Sequence, residues 1–162
     1  AGREGAADTG LLRVPGIFGN LPAGEAYVAP VEGTAQGKLV IDGSMSAIGL
    51  ISEPILIKVG NGMAQEITGG KEAEKLNLLM EKHGPKARNI AELGIGLNPA
   101  AIITGVVIED EKALGTIHIA LGDNSTFGGK VEVDSHLDGI IKNPTLSIDG
   151  EILIDKGKIV FN

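Results

Sequence analysis

"PILIKVGNGMAQEITGGKEAEKLNLLMEKHGP", residues 54–85, decides the fold class. Two strand-like runs flank Asn61-Gly62, the pair that supplies the positive φ angles of a tight hairpin turn. The period then changes. Ala73, Leu76, Leu79 and Met80 recur at helical spacing, while Glu72, Glu74 and Lys75 take the opposite face. His83-Gly84-Pro85 is a stop signal, with a basic group at the carbonyl end, a glycine cap and a proline beyond it. A hairpin running into a helix at about 70–83 predicts an α+β unit.

Working outward, short strand-like runs continue in both directions. "GLLRV" (10–14) and "AYVAPVEG" (26–33) read as strands interrupted by Pro15, Pro22 and Pro30. "GKLVIDGSMS" (37–46), "NIAELGIGLNP" (89–99), "GTIHIALG" (115–122) and the longer "KVEVDSHLDGII" (130–141) read as strands too. "VVIEDEKALG" (106–115) predicts a short helix starting near Asp110. The tail "PTLSIDGEILIDKGKIVF" (144–161) reads as a meander turning at Asp149-Gly150 and Lys156-Gly157. The expectation is one β-rich α+β domain over 1–162, built of short, mostly antiparallel strands around one main helix.

Composition narrows the function. The chain has 162 residues, 43% of them apolar, enough for a sizeable core. Its 25 glycines have no collagen-like period and fit many tight turns. Aromatic residues make up 2%, which argues against a base-stacking surface, and a net charge of −7 argues against binding phosphate backbones or anionic membranes. With no cysteine, disulfides and thiolate metal sites are excluded. No signal-like or long apolar run is present, so the expectations are a cytoplasmic location, no nucleic-acid partner and no membrane partner. The opening "AGREGAADTG" lacks a methionine, as a piece of a longer protein would.

The chemistry concentrates in residues 115–139, "GTIHIALGDNSTFGGKVEVDSHLDG". In a strand, His118 projects with the small residues Thr116 and Ala120, which leave room around an imidazole. Glu132, Asp134, His136 and Asp138 share one parity, and Gly139 is suited to a bend. His136 and Asp138, two apart on one face, can reach a single divalent ion, with Asp134 behind them to hold an imidazole tautomer. The plainer reading of that face is a solvated strand. His83 reads as a helix-end group. Glu92 interrupts an apolar strand. It is either an edge residue facing water or a buried carboxylate that must be paired or ligating, because desolvation costs several kcal/mol.

Glu25 in "NLPAGEAYVAPVEGTAQG", Glu92 in "AELGIG", His118 in "GTIHIALG" and "HLDG" at 136–139 occur in an order that resembles the metal-binding domain of the thermophilic aminopeptidase T/aminopeptidase S family. The resemblance covers the chain from about residue 8 to its end. It implies a metalloprotease-type hydrolase that removes N-terminal residues from a peptide substrate by a water activated between two metal ions. The implied ligands are Glu25, Glu92, His118, His136 and Asp138, with Zn, Co, Mn or Fe as the ions. Glu25 or Glu92 would shuttle the proton. It also implies a homodimer and a missing N-terminal α/β domain, this chain being the C-terminal catalytic part. Two departures are visible. The tyrosine those enzymes carry seven residues after the first histidine is Ser125 here, with Thr126, Asn124 or a main-chain N–H as substitutes, and the segment from His118 to His136 is shorter.

Two other readings follow from the same residues. Dihydroxypyridine-cleaving dioxygenases resemble the same fold and use two histidines and one aspartate on a single Fe(II). Here these would be His118, His136 and Asp138. The chain would otherwise be a catalytically inert metal-binding fragment.

Overall fold

The computed structural model of the protein describes residues 2–160. The N-terminal half runs β1 (Ala6–Asp8), β2 (Glu25–Val28), β3 (Gly37–Ile41), β4 (Ser44–Met45), β5 (Gly49–Leu50), β6 (Ile55–Gly60), β7 (Met63–Thr68) and α1 (Lys71–His83). The remainder runs β8 (Ile90–Gly96), the single turn α2 (Val107–Asp110), β9 (Ile117–Gly122), β10 (His136–Ile141), β11 (Leu146–Ile148), β12 (Glu151–Asp155) and β13 (Lys158–Ile159). A seven-stranded sheet is ordered β1-β2-β8-β9-β10-β4-β5. Two three-stranded sheets, β3-β6-β7 and β11-β12-β13, complete the β structure. The named strand pairs are all antiparallel. This is the β-rich α+β architecture that the hairpin and helix predict.

The turn pairs behave as their chemistry requires. Asn61 and Gly62 take φ of 52° and 73°, and the Asp149-Gly150 and Lys156-Gly157 pairs are also positive at both residues. Phe161 of the tail lies outside the described residues. The helix α1 ends where the stop signal lies, with Gly84 at φ 81° and its N–H on the Met80 carbonyl. Ala73, Leu76 and Met80 of α1 are buried against Ile55, Ile57, Ala64 and Ile67 of the β6–β7 hairpin. The same core takes Ile90, Ile119, Leu121 and Leu137 from one face of the large sheet. That packing leaves the sheet's opposite face free for chemistry.

Several expectations are corrected. Residues 10–14 form tight local turns, with Leu12 N–H on the Gly10 carbonyl and Arg13 N–H on the Leu11 carbonyl, and no strand among the described residues pairs with them. The 37–46 run is two strands in different sheets, divided at Asp42-Gly43. The short helix ends rather than starts at Asp110. The strand expected from 130 begins only at His136. Before it, the Asn124 side chain takes the Val131 N–H, and Asp123 accepts the Val133 N–H through its carboxylate. Those local bonds replace a strand ladder, so Glu132 and Asp134 do not share a strand face with His136. Gly139 lies in regular pairing with Ile119 and Met45 instead of at a bend. Its missing side chain is the space that Ile41 and Met45 fill.

Candidate metal centre

Register decides which side chains meet. Glu25 pairs with Gly96 across β2–β8. Glu92 pairs with Ala120 and Gly94 with His118 across β8–β9. His118, Ala120 and Gly122 then face Ile140, Asp138 and His136 of β10. Cross-strand partners project to the same side of a sheet, so Glu25, Glu92, His118, His136 and Asp138 share the face turned away from α1. One irregularity makes this possible. The β8–β9 register slips between Ile90, opposite Leu121, and Glu92, opposite Ala120. Strict alternation would put Ile90 and Glu92 on one face. The bulge sends Ile90 into the core and Glu92 to the other side.

Glu92 is 6% exposed in the middle of the sheet, which removes the water-facing edge reading. Its Oε1 lies 3.2 Å from His118 Nε2 and its Oε2 lies 3.4 Å from His136 Nε2. His136 Nε2 is also 3.4 Å from Asp138 Oδ1, and His118 Nε2 is 3.4 Å from Glu25 Oε2. Ala120, small and fully buried, sits beneath this convergence. All five residues expected from the sequence therefore come together.

Among the described residues, three sets have donor atoms mutually within 4.8 Å: Glu25–Glu92–His118, Glu92–His136–Asp138 and Glu111–His118–Asp138. The triad His118–His136–Asp138 is not itself one of these sets, because Glu92 stands between the two imidazoles. Among the described residues, the buried side-chain atoms without a hydrogen-bond partner include two potential metal donors, Glu25 Oε2 and His118 Nδ1. Carboxylates and imidazoles, with two buried donors unsatisfied, suit a divalent transition ion.

Glu111 and Lys112 were missed by sequence reasoning. In "VVIEDEKALG" they look like the solvated side of a surface helix. The long β8–β9 connection instead folds back onto the site. Asp110, fully buried, accepts from Ser44 Oγ at 2.5 Å, Thr104 N at 2.7 Å and Gly105 N at 2.9 Å. That pin holds Glu111 and Lys112 over the carboxylates. Lys112 Nζ donates to Glu25 Oε1 at 2.7 Å and to Glu111 Oε1.

The tautomer of His136 is set by a main-chain carbonyl. His136 Nδ1 lies 2.7 Å from the Asp123 oxygen, which can only accept, so Nε2 is the nitrogen left for the site. Asp134, expected behind an imidazole, is exposed and takes no part. Asn124 is buried in bonds to Glu32 and Val131, and Ser125 bonds Asp123, so neither substitutes for the missing tyrosine. Thr126 is absent from the lining of the cleft over the site. That cleft, of about 370 Å³, has Tyr27, Phe127, Val107 and Ile108 as its apolar wall. Phe127 packs edge-on against both Tyr27 and His136, with centroids 5.7 Å apart in each case.

The electrostatics are those of a cation site. Burial alone would raise Glu92, but hydrogen bonds and charge from His118 and His136 hold its carboxyl at about 2. Burial would lower His136, and the bonds to Asp138 and Glu92 outweigh it, pushing the imidazole up to about 11. Burial and the Asp138 charge push Glu111 up to about 7, and burial raises Glu25. Metal-free protein is therefore expected to lose stability on both sides of neutrality. The Glu92 contribution is present above its ordinary 4.5 and is lost as pH falls towards 2. The His136 contribution is complete below 6.5 and is lost as pH rises towards 11. Thermal denaturation of chelator-treated protein over this range checks it. A melting temperature that stays flat from neutrality to alkaline pH would contradict the assignment for His136.

Residues 2–161 match the family model described as NicX: 2,5-dihydroxypyridine 5,6-dioxygenase. The 2,5-dihydroxypyridine 5,6-dioxygenase of Pseudomonas putida is 28% identical over 164 residues, covering 93% of this chain and 47% of that protein. The solved structure of 2,5-dihydroxypyridine dioxygenase from Pseudomonas putida KT2440 superposes with a TM-score of 0.78 at 26% identity, covering 84% of this chain and 43% of that one. Wild-type AmpT from Thermus thermophilus superposes at 0.69 with 20% identity, covering 99% of this chain and 45% of that one. The likeness to AmpT is thus one of fold. The chain spans about half the length of these relatives.

Proposed function

The chain belongs to the 2,5-dihydroxypyridine 5,6-dioxygenase family, and from that premise we propose that it is the metal-bearing domain of a ring-cleaving dioxygenase for hydroxylated aromatic rings. The dioxygenase alternative in the sequence reading is thereby preferred to the aminopeptidase. The observation that carries the proposal is the meeting of His118, Glu92, His136 and Asp138 beneath an aromatic wall. One Fe(II) held by these side chains would supply the redox chemistry through which dioxygen and an electron-rich ring react.

The chain's own residues have separable tasks. His136 is fixed by the Asp123 carbonyl so that Nε2 faces inward. Glu92, held far below the usual carboxylate range, stays ionised and orients both imidazoles. Glu25, raised by burial and with one oxygen unpartnered, is the group suited to hold and release a substrate proton. Phe127 and Tyr27 offer flat apolar surface for a ring, and Val107 and Ile108 help exclude water. As the chain spans about half the length of its relatives, a further part of the protein and a second copy would complete the enzyme.

The test is oxygen consumption. The full chain, loaded anaerobically with Fe(II) and given 2,5-dihydroxypyridine, is expected to take up dioxygen as the ring absorbance disappears. Neither change in iron-loaded protein would end this reading. Phe127→Ala should raise KM about two- to tenfold with kcat little changed, because an aromatic contact is worth about 0.5–1.5 kcal/mol and is made equally before and during reaction. Steady-state kinetics check it.

A second reading has one observation in its favour. Glu92 belongs to two of the donor sets, as a carboxylate bridging two ions would. That arrangement suits a two-metal hydrolase of the aminopeptidase type, and release of an N-terminal residue by protein carrying two ions would support it.

A further inference from the structure

We propose that Lys112 is a cation built into the site, holding the place between Glu25 and Glu111 that a second divalent ion would otherwise take and so limiting the chain to one metal ion. The inference rests on the single-ion reading above and explains what enforces it. Lys112 is fully buried, and burial of an ammonium is tolerated only when carboxylates pair with it. Here it has two partners. Its Nζ donates to Glu25 Oε1 at 2.7 Å and to Glu111 Oε1. It cannot easily swing away. Its N–H is bonded to the Glu109 carbonyl at 3.0 Å, its carbonyl takes the Asn98 N–H at 2.8 Å, and the neighbouring Asp110 is pinned to Ser44, Thr104 and Gly105.

Charge carries the argument further. Four carboxylates crowd this small volume: Glu25, Glu92, Glu111 and Asp138. One divalent ion together with the ammonium nearly neutralises them. A second ion on Glu25 would stand within a few Å of the ammonium, in an interior where like charges are poorly screened. Glu25 and Glu111 belong to the two other donor sets, and Lys112 holds one oxygen of each, which leaves Glu25 Oε2 unpartnered but beside the ammonium. The set Glu92–His136–Asp138 has no such competitor.

The experiment counts ions and needs no turnover. The full chain is stripped with chelator, dialysed against Mn(II) and assayed by elemental analysis. About one ion per wild-type chain is expected, and about two per chain for Lys112→Met, which keeps the side-chain length and removes the charge. Two ions in the wild type, or none, overturn the proposal, as does a single ion in folded Lys112→Met. If Lys112→Met is unfolded as purified, Mn(II) must restore the wild-type circular-dichroism spectrum with two ions bound. A variant that Mn(II) fails to refold also overturns it. A wild type that binds one ion but consumes no dioxygen when iron-loaded sinks the dioxygenase reading and leaves Lys112 as assigned.

Discussion

Replacing Asp138 with alanine is expected to leave the chain folded but unable to keep its iron. Asp138 lies in the middle of the large sheet, where its own N–H is bonded to Ser46 Oγ and its carbonyl accepts the Ser46 N–H. Those main-chain bonds survive the substitution, so β10 stays in register. The carboxylate belongs to two of the three donor sets found among the described residues. Even partners that only orient a ligand change metal affinity by about 10- to 100-fold, so losing a ligand should cost more than about a hundredfold. Oxygen uptake should fall by at least about a thousandfold, or about 4 kcal/mol of barrier. Iron content after gel filtration and oxygen-electrode traces measure the two effects. Undiminished iron in Asp138→Ala would mean that the ion binds elsewhere.

Gly94→Ala is expected to disable the site without removing a polar atom. Gly94 lies directly opposite His118 on β8. The His118 ring crosses the glycine, and a Cβ there would overlap Nε2, the nitrogen that faces Glu92 and Glu25. The backbone at Gly94 is not in the positive-φ region, so the effect is steric and confined to the ring. Overpacking of this kind costs about 1–3 kcal/mol. His118 is buried and hemmed in, so relief must come from tilting the imidazole out of position. Metal affinity should drop about 10- to 100-fold, with a melting temperature lower by several degrees in the metal-free state. Isothermal titration with Mn(II) and thermal denaturation test this. Wild-type affinity in Gly94→Ala would show that His118 Nε2 is not aimed at an ion.

Much of this architecture was legible in one dimension. Asn61-Gly62 and the His83-Gly84-Pro85 stop are local, and local chemistry decided them. Glu92 was legible as an anomaly, a carboxylate where a strand should be apolar. The resolution was not legible, because it depends on a bulge at Ile90/Glu92 that only pairing with β9 reveals. The 130–135 segment misled for a related reason. Its alternation is strand-like, but Asn124 and Asp123 capture its N–H groups and turn it into the wall of a loop. Lys112 was invisible because a lysine among acidic residues looks like surface. Its burial comes from Asp110, whose partners Ser44 and Thr104 are far from each other in the chain. The choice between peptidase and dioxygenase also could not be read from the ligand-type residues of one sequence, and the family match over residues 2–161 favours the dioxygenase.

The aromatic wall has a practical corollary. The chain contains one tyrosine and no tryptophan, and that tyrosine lines the cleft beside Phe127. Tyrosine emission from this polypeptide therefore originates at one residue, in the cleft that the carboxylates also line. A paramagnetic ion arriving there should quench it, and an aromatic guest should shift it, so occupancy can be followed in real time without attaching a dye.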